Sequence, residues 1–242
     1  GYLAEVNWHL PFLVYTLPGI SLVLSFFLRR SRSVPEPEQS IQLRHKQIDR
    51  GKLIGLMLFY FFATYAVLAI AFYASFLVDD YKIRSSFSGV LISLFFLAIM
   101  LPGLFIDRII RTLKQNVNFA SLGLICLGLL CVGIFRDKTM LAVGALLSGL
   151  GYGIIQPVIY DKAATIAPPR SATLALSFVM SMNYLAVMVC PFIMDMFRHL
   201  FHTHSDRFPF FFNAALVFVL AVVTWFRRGN FTLGLDESYY KN

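Results

Sequence analysis

Seven stretches of about 20 mainly apolar residues constrain the fold of this chain more than any other feature of its sequence. A helix of that length crosses the hydrocarbon core of a bilayer with its own backbone hydrogen bonds satisfied. The chain is 58% hydrophobic and only 14% charged, whereas about a quarter of the residues of a soluble domain are charged. We therefore predict an all-α membrane protein with seven transmembrane helices. The stretches are roughly residues 10–28, 53–78, 87–106, 117–135, 140–160, 172–194 and 208–226.

Lys and Arg are distributed unevenly between alternate loops. Residues 29–52, 107–116, 161–171 and the segment from 227 onward contain fifteen, whereas the loops between them contain six. Cytoplasmic loops of membrane proteins carry the excess of Lys and Arg. This predicts a cytoplasmic C-terminus and explains the net charge of +8 without a nucleic-acid partner. No nucleophile elbow, phosphate-binding glycine loop or Cys-x-x-Cys pair is present, so an enzyme is not expected.

The longest loop, residues 29–52, is polar and rich in proline near its start. Residues 31–38 should be irregular, and residues 40–50 are predicted to form a short helix on the membrane surface. The loop leaves one apolar stretch before it and six after it, an unusual arrangement for a complete protein.

A run of charged residues, 103–111, separates the third and fourth apolar stretches. It contains Gly103, Asp107, Arg108 and Arg111 in a Gly-x-x-x-Asp-Arg-x-x-Arg pattern. Charges so near a bilayer are costly unless they pair or reach the headgroups. The run resembles the loop signature of the major facilitator superfamily of transporters. The resemblance implies a cytoplasmic latch that breaks and re-forms during transport, while plain topology-determining charge remains the alternative.

Two further stretches are similar to motifs of the same superfamily. Residues 7–15 look like its Trp-Arg-x-Pro-Phe helix entry, with His9 in place of Arg. Residues 149–157, followed by 167–172, resemble its glycine-rich tenth helix and the next loop, with Ser171 where glycine is common. The resemblance implies four parts of a twelve-helix transporter. These are the last helix of the N-terminal bundle at 1–28, the central cytoplasmic loop at 29–52, the C-terminal six-helix bundle at 53–226 and a cytoplasmic tail at 227–242.

Small residues recur every four positions in the fifth apolar stretch. Ala145, Gly149 and Gly153 form a stripe that lets two membrane helices pack closely. Together with Gly151 and Pro157, which is expected to kink the helix, they are candidates for helix packing and gating.

Uncharged polar residues within the apolar stretches are the candidates for a substrate cavity. An apolar and aromatic wall with a few hydrogen-bonding groups suits a hydrophobic ligand, although interfacial tyrosines and ordinary interhelical hydrogen bonds are the alternative. No carboxylate lies mid-span, and the resemblance implies that the coupling acid of a proton-driven carrier lies in the N-terminal half. The candidates are Tyr60, Thr64, Tyr65, Gln156, Asn183 and Tyr184.

These observations favour a bacterial inner-membrane protein that exports hydrophobic or drug-like compounds in exchange for protons. The expected partners are a small-molecule substrate, protons, the lipid bilayer and an N-terminal bundle; no cofactor or metal site is expected. An uptake carrier for a metabolite or sugar is the alternative. A seven-helix receptor is a more remote alternative. Such receptors carry Asp-Arg-Tyr at the cytoplasmic end of the third span, whereas here Ile109 follows Asp107 and Arg108.

Overall fold

The computed structural model describes residues 49–168 and 171–235. The predicted span at 10–28, nearly all of the loop at 29–52 and the last residues of the tail lie outside the described residues. In the described part of the chain every regular element is a helix. The α-helices are α1 (Arg50–Asp80), α2 (Ser86–Met100), α3 (Ile106–Leu113), α4 (Val117–Ile134), α5 (Lys138–Ile166), α6 (Ala172–Leu200) and α7 (Phe208–Phe226).

Six helical segments of the described residues are long and apolar enough to cross a membrane. They correspond one to one with the six spans predicted after residue 52, which confirms the predicted all-α membrane fold. Several extend beyond the predicted ends, because helices project past the hydrocarbon core into the loops. Thus α1 has 31 residues and α5 and α6 have 29 each.

Local capping groups determine where two of these helices begin. Asp49 accepts a hydrogen bond from the backbone N–H of Lys52 at the start of α1, and Asp137 accepts one from Thr139 at the start of α5. Such side chains satisfy backbone donors that have no partner inside the helix. The same Lys52 N–H, with the Lys52 side chain, lowers the pKa of Asp49. Because of this cap, α1 starts within the predicted loop, at Arg50.

The helices α1 and α5 lie at the centre of the bundle. They contact each other, while α5 also packs against α2 and α4, and α1 against α6 and α7. By contrast, most of the apolar surface of α2 and α6 is not buried. We call the end of the bundle at which α1 begins and α5 ends the tail end, because residues 227–235 lie there against α1, α4 and α5.

Candidate functional site

A chain of hydrogen-bonded side chains links α1 and α5 in the interior of the bundle. The Thr64 hydroxyl lies 2.9 Å from the Tyr152 hydroxyl, which donates to the Tyr60 hydroxyl at 3.2 Å. The Tyr60 hydroxyl lies 2.9 Å from that of Tyr160, and the Gln156 amide N–H donates to Tyr160 at 3.1 Å. We call these five residues the hydroxyl chain.

The hydroxyl chain runs from the buried middle of the bundle towards a more accessible surface of α5. Tyr60, Thr64 and Tyr152 are buried, whereas Gln156 and Tyr160 are half-buried. The Tyr60 ring stacks on that of Tyr152 at 6.3 Å between centroids and meets that of Tyr160 edge-on at 5.7 Å. Aromatic packing of this kind fixes where the hydroxyl groups lie. The chain therefore offers neutral donors and acceptors at its accessible end and contains no charged side chain.

The structure brings three of the six predicted cavity residues together: Tyr60, Thr64 and Gln156. Tyr65 stacks on Phe61, and its buried hydroxyl has no hydrogen-bond partner among the described residues. Asn183 is half-buried on α6, and Tyr184 beside it is 71% exposed. These three residues do not join the hydroxyl chain.

Sequence reasoning missed Tyr152 and Tyr160 as site residues. A usable signal was present, since Tyr152, Gln156 and Tyr160 are spaced four apart, as are Tyr60 and Thr64. Residues spaced by four lie on one face of a helix. Two such polar faces of similar chemistry can meet inside a bundle.

The predicted latch residues lie at the tail end, in and around the short helix α3. Asp107 is in its first turn and Arg111 in its last, an arrangement that complements the helix dipole. Both side chains and that of Arg108 are exposed, and no ion pair among the described residues joins them. Gly103 has a negative φ, and a Cβ there would meet nothing within 4 Å. The structure thus gives no steric reason for glycine at position 103.

A cavity of about 450 Å³ lies beside α3. Asp107 and Arg111 line it from α3, Asp161 from α5 and Leu235 from the tail. Its apolar lining comes partly from Pro157, which lies inside α5, and the helix continues through this proline. Asp107 and Arg111 of the predicted latch and the helix-interior proline therefore line one cavity at the tail end.

The predicted stripe of small residues on α5 lies against α2. A Cβ added to Gly153 would fall 2.9 Å from the backbone carbon atoms of Ile99 and closer still to its carbonyl oxygen. One added to Gly149 would lie 2.7 Å from the Ala98 Cβ. Ala145, one turn earlier, is buried as well. Larger side chains at these positions would separate the two helices.

A second line of small residues on α5 contacts α4, and sequence reasoning did not identify it. A Cβ on Gly144 would lie 2.7 Å from the Gly128 carbonyl oxygen, and one on Gly151 would lie 2.5 Å from that of Ser121. The predicted gating residue Gly151 therefore faces α4, away from the α2 contact. Both neighbours approach α5 closely, which holds the α5 half of the hydroxyl chain in place.

The described part of the tail folds back over a buried lysine. Lys162 on α5 is fully buried, and its ammonium group donates to the carbonyl oxygens of Gly234, at 2.5 Å, and Thr232, at 3.5 Å. The Asn118 amide donates to the Leu233 carbonyl at 2.9 Å. Residues 227–235 are thus a packed part of the bundle rather than a detached extension.

The family model of the Major Facilitator Superfamily matches residues 1–186 of the chain and, in a second alignment, residues 53–238. The chain belongs to the major facilitator superfamily. A comparison with curated proteins found no match. As a member of the superfamily the protein is a membrane transporter, and the receptor interpretation is excluded. The hydroxyl chain supplies uncharged hydrogen-bonding groups between α1 and α5.

Proposed function

We propose that the protein takes part in proton-coupled efflux of small hydrophobic or drug-like compounds by alternating access. In this mechanism two bundles rock around a site at their interface. The described residues contribute one bundle, and a second, N-terminal bundle completes the site. The hydroxyl chain forms the polar part of the wall on α1 and α5.

The observation that carries this proposal is the character of the hydroxyl chain. A sugar site needs several amide and charged side chains to pair the hydroxyl groups of its ligand. Here five uncharged side chains largely satisfy one another, and only Gln156 and Tyr160 are half-exposed. A site with so few free polar groups favours a ligand that is mainly apolar.

A carboxylic acid that couples transport to proton movement must lie within the membrane. All described Asp residues lie at or near helix ends, and no Glu is among the described residues. We therefore assign the coupling acid to the N-terminal bundle. The exposed Asp107, Arg108 and Arg111 are assigned to a latch that closes the two bundles at the tail end, which positive-inside charge makes cytoplasmic.

The test is efflux of Nile red, a neutral lipophilic dye, from cells that express the complete native gene. Preloaded cells should lose the dye faster than vector controls, and a protonophore should abolish the difference. A Tyr60→Phe, Tyr160→Phe double variant should reduce the rate at equal expression, because it removes the central hydroxyls of the chain. Unchanged dye loss together with accumulation of a labelled sugar would overturn efflux in favour of an uptake carrier.

A further inference from the structure

The hydrogen-bond direction within the hydroxyl chain follows from counting its donors. Each hydroxyl group has one proton to donate. Tyr152 gives its proton to Tyr60. The contact between Thr64 and Tyr152 must therefore use the Thr64 proton, since that of Tyr152 is already committed.

The same reasoning determines the next contact. Tyr60 is fully buried, so leaving its proton without an acceptor would be costly. Its hydroxyl oxygen already accepts from Tyr152, and the other hydroxyl within reach is that of Tyr160, at 2.9 Å. Tyr60 therefore donates to Tyr160. All three contacts point from the buried middle of the bundle towards Tyr160.

The proton of Tyr160 then has no acceptor within the chain. Its oxygen accepts from Tyr60 and from the Gln156 amide, which occupies both of its lone pairs. Tyr160 is half-buried, so its O–H can reach a ligand at the accessible surface of α5. Hydrogen bonds that run in one direction polarise one another and strengthen the last donor.

We infer that the Tyr160 hydroxyl is the specificity-determining donor of the site and selects uncharged apolar compounds that carry a hydrogen-bond acceptor, such as a ketone oxygen. This inference rests on the proposed function and names the substrate class of the same site. It predicts that an aromatic ketone binds more tightly than the hydrocarbon of the same shape.

The charged residues next to Tyr160 do not supply a counterion for an ionic ligand. Lys162 is turned to the tail and donates to the Gly234 carbonyl. Asp161 is exposed and lines the separate cavity beside α3. Burying an anion against Tyr160 and Gln156 would leave its charge without a counterion, which is strongly unfavourable. A neutral acceptor avoids that cost.

The test measures binding of two matched pairs, benzophenone with diphenylmethane and fluorenone with fluorene, in which a carbonyl replaces a methylene group. The protein from the complete native gene is reconstituted in nanodiscs, and radiolabelled compounds are counted against empty nanodiscs. We expect wild-type protein to bind each ketone about 3- to 10-fold more tightly than its hydrocarbon, as one neutral hydrogen bond allows. Tyr160→Phe should bring both ratios close to one.

Two further variants control for indirect effects. Tyr81→Phe makes the same chemical change at the opposite end of the bundle, where the hydroxyl has no partner among the described residues, and it should keep the wild-type ratios. Gln156→Met removes the donor that helps to direct the Tyr160 proton outward, so it should lower the ratios in part. Monodisperse elution of each variant verifies that it is folded.

The possible failures are distinguishable. Saturable binding with equal affinity for ketone and hydrocarbon would overturn the role of Tyr160 but leave transport of apolar compounds standing. Ratios that stay at the wild-type value in Tyr160→Phe would also overturn that role. Absence of saturable binding for all four compounds would overturn the proposed substrate class itself, and the inference with it.

Discussion

Replacing Gly153 by Ala tests how closely α5 and α2 approach. The new Cβ would lie 2.9 Å from the Ile99 backbone carbons, whereas carbon atoms in good contact are about 3.5–4.0 Å apart. The helices would have to separate locally by about 0.6–1.1 Å. The neighbouring atoms belong to backbone, so no side-chain rotation can relieve the contact.

Two opposing terms determine the magnitude of the effect. Overpacking a well-packed interior costs about 1–3 kcal/mol, and a rigid backbone neighbour favours the upper half of that range. Ala is better than Gly inside a helix by about 1 kcal/mol. We therefore expect Gly153→Ala to lower the free energy of unfolding by about 1–2 kcal/mol.

The chain offers a matched control in Gly123, which lies inside α4 and whose added Cβ would meet nothing within 4 Å. Gly123→Ala should be neutral or stabilising by up to about 1 kcal/mol. The difference between the two variants isolates the packing cost, because the helix-propensity gain is common to both. SDS-induced unfolding of the protein in mixed micelles, followed by circular dichroism, measures both free energies.

A second comparison uses Gly149→Ala and the Gly149→Ala, Gly153→Ala double variant. Both sites contact α2, so a single separation of the two helices relieves the steric contacts of both substitutions. The double variant should therefore cost less than the sum of the singles, as coupled neighbours do. Equal unfolding free energies for Gly153→Ala and Gly123→Ala would refute the close approach of α5 and α2.

The contact between Lys162 and the tail and the hydrogen bond between Tyr152 and Tyr60 each lead to a testable prediction. Lys162→Met should release the tail and speed trypsin cleavage after Arg228 several-fold. The unfolding free energy should stay within about 1 kcal/mol of wild type, because the variant loses the hydrogen bonds of Lys162 but no longer has to bury a cation. Gly234→Ala should give the same cleavage pattern, since its Cβ would collide with the Arg228 backbone; unchanged cleavage in both variants would contradict the packed tail. Tyr60→Phe should lower the unfolding free energy by about 1–3 kcal/mol in the same SDS titration, because the buried Tyr152 proton loses its acceptor. A neutral result would place a water or another acceptor at Tyr152.

The sequence predicts the helices well because the governing physics is local. Apolar length determines which segments cross a membrane, and caps such as Asp137 lie within a few residues of the helix ends that they define. The spacing of Gly149 and Gly153 likewise predicts a flat helix face. It does not identify the neighbour, because a small-residue stripe is compatible with any helix that can approach it.

The hydroxyl chain shows what the sequence could not provide. Tyr60 and Tyr152 are 92 residues apart, and no local sequence pattern predicts that their helix faces are turned towards each other. Asn183 has the same polar character as Gln156, yet it lies on α6 outside the chain. Which polar residues meet depends on how each helix is rotated when the whole bundle packs.

The sequence by itself thus determined which described segments span the membrane, and it carries the superfamily signature, because these depend on hydropathy and short motifs. Tertiary structure alone decided that three tyrosines share one hydrogen-bond chain, that α5 meets α2 and α4 through separate glycine faces, and that Lys162 is buried beneath the tail. The physical reason is that each of these contacts joins helices distant in sequence. Their positions are set by the packing of the entire bundle rather than by any one segment.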